Sequence, residues 1–184
     1  MPEPAAPDAN PNAGANPNAD AGAANAATIA RFYAALGRRD AEAMLACYAP
    51  DVHFSDPIFR DLDATGVAAM WRMLTSRGTD LHVVVSGITA DAQIGHAHWV
   101  ATYTFSANRR RVENHIDATF GFRDGRIVRH QDRFGLYRWA RQAFGPLGTL
   151  LGWSPLVQRT MRRQAARALA AWQAKDSSER AASR

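Results

Sequence analysis

The stretch that most constrains the fold is residues 112–134, VENHIDATFGFRDGRIVRHQDRF. Two runs with strand-like alternation are joined by Asp124-Gly125. This dipeptide favours a two-residue type I′ turn, in which both residues have φ > 0. With these two residues as the turn, the sequence predicts an antiparallel hairpin in which Asp117 lies directly opposite Asp132.

One face of this predicted hairpin is polar. Because side chains alternate between faces with period two, six residues should share it: His115, Asp117, Thr119, His130, Asp132 and Phe134. Two carboxylates facing each other in a partly apolar cavity cannot both ionise cheaply, so one pKa rises and the pair offers an acid and a base. The structural alternative is that His115, His130 or an arginine bridges the aspartates and only fixes the sheet.

The length and charge of the chain limit its function classes. Its 184 residues, 47% of them apolar, suffice for one domain with a hydrophobic core. Residues 135–184 hold nine basic and two acidic residues, which suits either an anionic partner or a solvated helix face. The single cysteine, Cys47, excludes an internal disulfide. No apolar run reaches the length of a membrane span, and we expect a cytoplasmic protein.

Periodicity predicts three helices before residue 81, a short strand at 52–54, and then a meander of strands. Helices followed by strands indicate the α+β class, with the helices on one face of a curved antiparallel sheet. The predicted organisation is a disordered Ala/Asn/Pro-rich tail at 1–27, an α+β domain at 28–134, a helical extension at 135–174 and a disordered tail at 175–184.

Two segments, YAPDVHFSDPIF (48–59) and HIDATFGFRDGRIVRHQDRF (115–134), resemble the nuclear-transport-factor-2-like superfamily. The nearest resemblance is to its SnoaL-like branch, with polyketide cyclases, ketosteroid isomerases and limonene epoxide hydrolase. The resemblance implies a cone-shaped, strongly bent antiparallel sheet on three N-terminal helices, the cystatin-like α+β barrel, with an apolar pocket inside.

In the ketosteroid isomerases an aspartate before a proline is the general base, and Asp56 of Asp56-Pro57 has that place. Tyr48 falls where the family has a pocket tyrosine, and Trp71 lies near another such position. Two oxyanion donors of that family are replaced, because the tyrosine position holds Phe32 and the aspartate position holds His115.

The other branches point to the hairpin. In the cyclases a histidine and an aspartate on the last two strands act as acid and base, a region that here holds His115, Asp117, His130 and Asp132. In limonene epoxide hydrolase, two aspartates face each other on neighbouring strands beside an arginine. Asp117 and Asp132 reproduce the aspartates, and His115 takes the place of the arginine.

These observations predict a cofactor-independent enzyme acting on a small apolar molecule with a carbonyl or hydroxyl group. The alternative is a non-catalytic ligand-binding or dimerisation module. The predicted catalytic residues are Asp132, Asp117, His115 and Asp56, and the predicted ligand contacts are His130, Tyr48, Phe32, Trp71 and Trp99. We expect a homodimer and no binding of nucleic acid. We also expect no metal, because His98 would join His115 and Asp117 in a metal site only in one strand register.

Overall fold

The computed structural model of the chain describes residues 17–182. Helices and strands follow in an order that confirms the α+β class: α1 Pro17–Gly37, α2 Ala41–Leu45, β1 Tyr48–Ser55, α3 Ala64–Arg77, β2 His82–Ala90, β3 Ile94–Phe105, β4 Arg110–Arg123, β5 Arg126–Arg133, α4 Leu136–Phe144, α5 Pro146–Leu151 and α6 Pro155–Ala182.

The first helix begins well before the predicted start of the folded domain at residue 28. Within it, Gly22 and Asn25 are buried. The side-chain amide of Asn25 donates a hydrogen bond of 2.9 Å to the carbonyl oxygen of Asp91, and a Cβ on Gly22 would lie 2.8 Å from the carbonyl oxygen of Ala90. The prediction of a disordered tail is therefore wrong for residues 17–27, while residues 1–16 lie outside the described residues.

Tyr48 is the first residue of β1 and lies outside the second helix. Helix α2 is short, and its N-cap is Asp40, whose carboxylate accepts from the backbone N–H of Ala43 at 3.0 Å. The chain then enters β1, which is longer than the predicted strand at 52–54. This early entry turns the Tyr48 side chain into the core, where it is 4% exposed.

The five strands form one open sheet in the order β1-β5-β4-β3-β2. Strand β1 runs parallel to β5, and the other three pairings are antiparallel. The sheet is therefore mixed rather than wholly antiparallel as predicted. The parallel pairing puts the end of β1, and the Asp56 loop that follows it, beside the residues of β5 from His130 onward.

The predicted hairpin turn is confirmed, but its register is not. Asp124 and Gly125 have φ of 52° and 71°, as a type I′ turn requires. Phe122 still pairs with Ile127, but Gly121 pairs with Arg129, so Val128 is an extra residue in β5. A bulge of one residue moves every later side chain of that strand to the opposite face.

The bulge overturns the predicted pairing of the two aspartates. Asp132 lies opposite Ala118, and His130 lies opposite Phe120, so both point into the core. Asp117 instead lies opposite Arg133 and points outward, with its side chain 81% exposed. The prediction that Asp117 and Asp132 face each other is wrong.

Strand β3 pairs with β4 across the loop at 106–109, and this register places His98 opposite Asp117. His98 Nδ1 and Asp117 Oδ1 are 2.8 Å apart on the outer face of the sheet. Within residues 17–182, no three His, Cys, Asp or Glu side chains form a cluster that could hold a metal ion.

The C-terminal helices pack on the domain, as the predicted extension implied. On α6, Leu169 is buried in the main core, and Trp172 packs against it with the guanidinium of Arg77 5.9 Å from its ring centre. Leu136 and Met161 form a second, smaller core cluster between α4 and α6. Helix α6 continues to Ala182, so the predicted disordered tail is wrong over 175–182. None of the helices between residues 17 and 182 is long and apolar enough to cross a membrane.

Candidate functional site

A chain of hydrogen-bonded side chains crosses the middle of the core. The indole Nε1 of Trp71 donates to the hydroxyl of Tyr48 at 3.0 Å, and that hydroxyl lies 2.7 Å from Nδ1 of His130. The other ring nitrogen of His130, Nε2, is 3.1 Å from Oδ1 of Asp132. Trp99 Nε1 donates to the same oxygen at 3.4 Å. The chain joins α3, β1, β5 and β3.

The indole ends of this chain have a fixed direction. An indole N–H can only donate, so Tyr48 accepts from Trp71 and keeps its own proton, which it can give to Nδ1 of His130. In the neutral tautomer of His130 with its proton on Nε2, the imidazole donates to Asp132, which then accepts from both His130 and Trp99. Asp132 is thus the terminal acceptor. At 5% exposure its carboxylate is held away from water.

His130 is sealed by aromatic rings. It is fully buried, and its ring centre lies 4.3 Å from that of Phe120, 5.0 Å from Phe54 and 5.4 Å from Phe32. The ring of Trp71 stacks over it at 6.3 Å. His130 therefore orients Asp132 from behind.

Asp56 lies in the loop after β1 and is half-buried. Its Oδ1 accepts from the backbone N–H groups of Ile58 at 2.6 Å and Phe59 at 2.5 Å. Both bonds go to the same oxygen, so Oδ2 is the oxygen available to take up a proton. Burial, opposed by these two hydrogen bonds and assisted by the charge of Asp132, raises the pKa of Asp56 to about 7. A carboxyl of this kind exchanges a proton near neutral pH.

Two tyrosines join this region that the sequence reasoning missed. The hydroxyl of Tyr33 is buried without a hydrogen-bond partner among the described residues. Burial, followed by the charge of Asp132, raises the pKa of Tyr33. Burial also raises the pKa of Tyr103, to which the charge of Asp56 contributes, while the Trp139 indole donates to its hydroxyl at 2.8 Å. The signal for Tyr33 was its place in the otherwise apolar stripe of α1, next to Phe32.

The structure brings most of the predicted site residues together and leaves two out. Its centre unites Asp132 with the five predicted ligand contacts: His130, Tyr48, Phe32, Trp71 and Trp99. Asp56 interacts with this group through Asp132. His115 and Asp117 are not part of it, because both lie on the outer face of β4, where His115 Nε2 is 3.0 Å from Glu113.

An open α+β sheet with N-terminal helices on one face, and a buried chain of polar groups at its centre, defines a nuclear-transport-factor-2-like fold. The chain belongs to the SnoaL-like domain family, whose family model matches residues 29–130. No curated protein matches it.

Solved structures with the same fold align with this chain over nearly the whole of their own length. An LEH-like epoxide hydrolase from M. tuberculosis is 20% identical, with a TM-score of 0.56 over 71% of this chain and 96% of its own. A nuclear-transport-factor-2-like protein of unknown function from Burkholderia pseudomallei is 21% identical, with a TM-score of 0.59 over 65% and 97%. IdmH, a candidate polyketide cyclase from Streptomyces antibioticus, is 23% identical, with a TM-score of 0.56 over 64% and 96%. At these identities the likeness shows the fold.

Proposed function

We propose that the protein is a cofactor-independent enzyme of isomerase, cyclase or hydrolase type, in which Asp56 moves a proton on a small apolar molecule. The observation that carries the proposal is that two carboxyl groups within electrostatic range of each other have unlike environments. Asp56 is half-buried with a pKa of about 7, while Asp132 is fixed as an acceptor by His130 and Trp99. Carboxyl groups whose environments differ in this way can divide the work of acid and base.

Each group has a distinct role in this proposal. Above about pH 7 Asp56 is a carboxylate whose free oxygen can abstract a proton next to a carbonyl group. The unpartnered hydroxyl of Tyr33 is a donor for the oxygen of the same substrate, because a buried hydroxyl without a partner gains the full value of a new hydrogen bond. Asp132 orients the substrate through its second carboxylate oxygen.

The chemistry of the surrounding residues supports an apolar substrate with one or two oxygen atoms. Beside Asp56, Ile58 and Phe134 pack against both core clusters, and the guanidinium of Arg162 is held by the carbonyl oxygen of Pro57 at 2.8 Å. Ionic substrates would have to lose their hydration among these apolar side chains. A carbonyl or hydroxyl compound meets the available donors and acceptors.

Exchange of α-protons tests this proposal without knowledge of the natural substrate. The protein is incubated in D₂O with a panel of cyclic ketones, and deuterium uptake is followed by NMR. We expect faster exchange for at least one ketone, with a rate that rises with pH to a plateau above about 7. Asp56→Asn should then lower the rate by roughly 10²–10⁴-fold, the usual contribution of a positioned base.

Asp117→Asn is the matched control. It removes a carboxylate of the same kind from β4, but on the exposed outer face of the sheet. The rate should not change. Equal rates for wild type and Asp56→Asn would rule out the proposed base.

The second candidate function is a ligand-binding module without turnover. The aromatic packing around His130 favours it, since those rings fill space that a larger substrate would need. Saturable binding of a ketone, seen as shifted NMR signals of Tyr33 or Asp132 without any deuterium uptake, would support the module over the enzyme.

The expected homodimer is also a proposal. Val84 on the edge strand β2 is 53% exposed, which leaves apolar surface on the sheet for a second copy. Sedimentation equilibrium measures the oligomeric state directly, and a monomer at all concentrations would exclude the dimer. The expected cytoplasmic location stays a prediction.

A further inference from the structure

The shortest of the C-terminal helices, α5, carries a surface that the proposed reaction does not use. Over residues 147–156 five large apolar side chains are between 49% and 74% exposed: Leu147, Leu150, Leu151, Trp153 and Leu156. Single exposed apolar residues are ordinary, whereas a contiguous group marks a surface that contacts something. We call this group, with α5 and the start of α6, the apolar face.

Packing on the other side of α5 holds these side chains outward. A Cβ on Gly148 would lie 1.9 Å from the carbonyl oxygen of Ala140, and one on Gly152 would lie 2.9 Å from the Cβ of Ala140. The helix therefore presses its glycine side against α4 and cannot rotate to bury its leucines. The hydroxyl of Tyr137 adds a 3.1 Å hydrogen bond to the carbonyl oxygen of Thr149.

Two open grooves flank the apolar face. One, of about 350 Å³, is lined mainly by apolar side chains, among them Phe144, Leu151 and Val157. The other, of about 810 Å³, is bordered by Leu150 and by three arginines with one acid: Arg110, Arg138, Arg141 and Glu113. Apolar and cationic surfaces thus meet along α5.

The charge of this region has one sign over a long stretch of sequence. Between Asp132 and Asp176 the chain contains no acidic residue, while residues 135–163 contain five arginines. Four of these, Arg138, Arg141, Arg159 and Arg163, are exposed. A partner that covers the apolar face must therefore bring negative charge to its margin.

We propose that the apolar face docks on the surface of an anionic lipid bilayer. The leucines and Trp153 would enter the boundary between headgroups and acyl chains, where an indole is favoured. Arg138 and Arg141 would meet lipid phosphates, since cations beside an anionic membrane gain attraction from its surface potential. A second copy of the chain fits less well, because a two-fold contact would bring the same arginines towards each other.

Co-sedimentation with vesicles measures this docking on the full chain. The vesicles contain phosphatidylcholine alone, or with about 30% phosphatidylglycerol to supply negative charge. We expect binding to the anionic vesicles at least tenfold tighter than to the neutral ones. Raising the salt concentration from about 0.1 M to about 0.5 M should weaken it, because the Debye length shortens.

Variants separate the apolar and the cationic contributions. Leu150→Ser should weaken binding roughly tenfold, the value of one buried leucine, and Arg138→Gln and Arg141→Gln about fivefold each. Ile94→Ser is the matched control, because Ile94 is an exposed apolar residue on β3, outside the apolar face. All four side chains are at the surface, so the variants should keep the thermal midpoint of the wild type.

The fluorescence emission of Trp153 reports whether the apolar face enters the bilayer. Vesicle binding should shift the tryptophan emission to the blue, and Trp153→Phe should abolish most of that shift. No binding to either vesicle, or equal binding to both, would overturn the proposal. A change of oligomeric state in Leu150→Ser, seen by sedimentation equilibrium without vesicle binding by the wild type, would assign the face to a contact between copies.

Discussion

Replacing Asp56 by asparagine should change the stability of the protein in a way that depends on pH. Burial raises the pKa of this carboxyl from 3.8 to about 7 in the folded protein. Between these two values the folded protein keeps a proton that the unfolded chain releases. Stability from this group is therefore complete below about pH 4 and is lost as the pH rises towards 7.

The magnitude follows from the two pKa values. At about 1.4 kcal/mol per pH unit, the interval from 3.8 to about 7 corresponds to about 4 kcal/mol. Since the residue is half-buried, we take about 2–4 kcal/mol as the cost of ionising Asp56 in the folded state. Asparagine keeps an oxygen for the N–H groups of Ile58 and Phe59 and carries no charge. Asp56→Asn should therefore match the wild type near pH 4 and exceed it by about 2–4 kcal/mol near pH 8.

Urea denaturation at several pH values between about 4 and 8 measures this difference. The difference between variant and wild type isolates Asp56, because all other groups titrate in both proteins. Asp124→Asn is the control, since this exposed turn residue tolerates asparagine beside glycine. A difference that stays constant with pH, or an Asp56→Asn variant that is less stable at pH 8, would refute the reasoning.

Two further predictions concern the core and the first helix. Tyr48→Phe should cost about 2–5 kcal/mol, because it leaves a buried indole N–H and a buried imidazole nitrogen without partners. Tyr33→Phe, the matched variant, should leave the free energy of unfolding unchanged or raise it, because the Tyr33 hydroxyl has no partner among the described residues. Equal losses of stability for the two variants would contradict the hydrogen-bond chain. Deleting residues 1–25 should cost about 1–3 kcal/mol, through the lost hydrogen bond of Asn25 to Asp91. An unchanged thermal midpoint would contradict that prediction.

The sequence identifies most residues of the candidate site, but it does not show which of them lie together. The family resemblance indicated Asp56, Tyr48 and Trp71, and the alternation of side chains in the hairpin indicated His130. Tyr33 was missed because a tyrosine in an amphipathic stripe looks like any core aromatic residue. Its buried, unpartnered hydroxyl became visible only when the sheet was packed against α1.

The start of the first helix shows the limit of composition. Residues 17–27 contain no large apolar side chain, so their composition predicts disorder. Their small side chains instead allow close approach, with Gly22 against the backbone of Ala90. A contact between distant parts of the chain, made possible by the lack of a side chain, has no local sequence signal.

The sequence by itself determined the local geometry of the hairpin, since Asp124-Gly125 supplies the positive φ angles of its turn. It also determined the α+β order, because the hydrophobic period changes near residue 81. Tertiary structure alone decided which face carries the acids. One extra residue in β5, Val128, turns Asp132 inward while Asp117 stays in solvent. Alternation of side chains has period two, so the faces depend on register, and register depends on packing across the whole sheet.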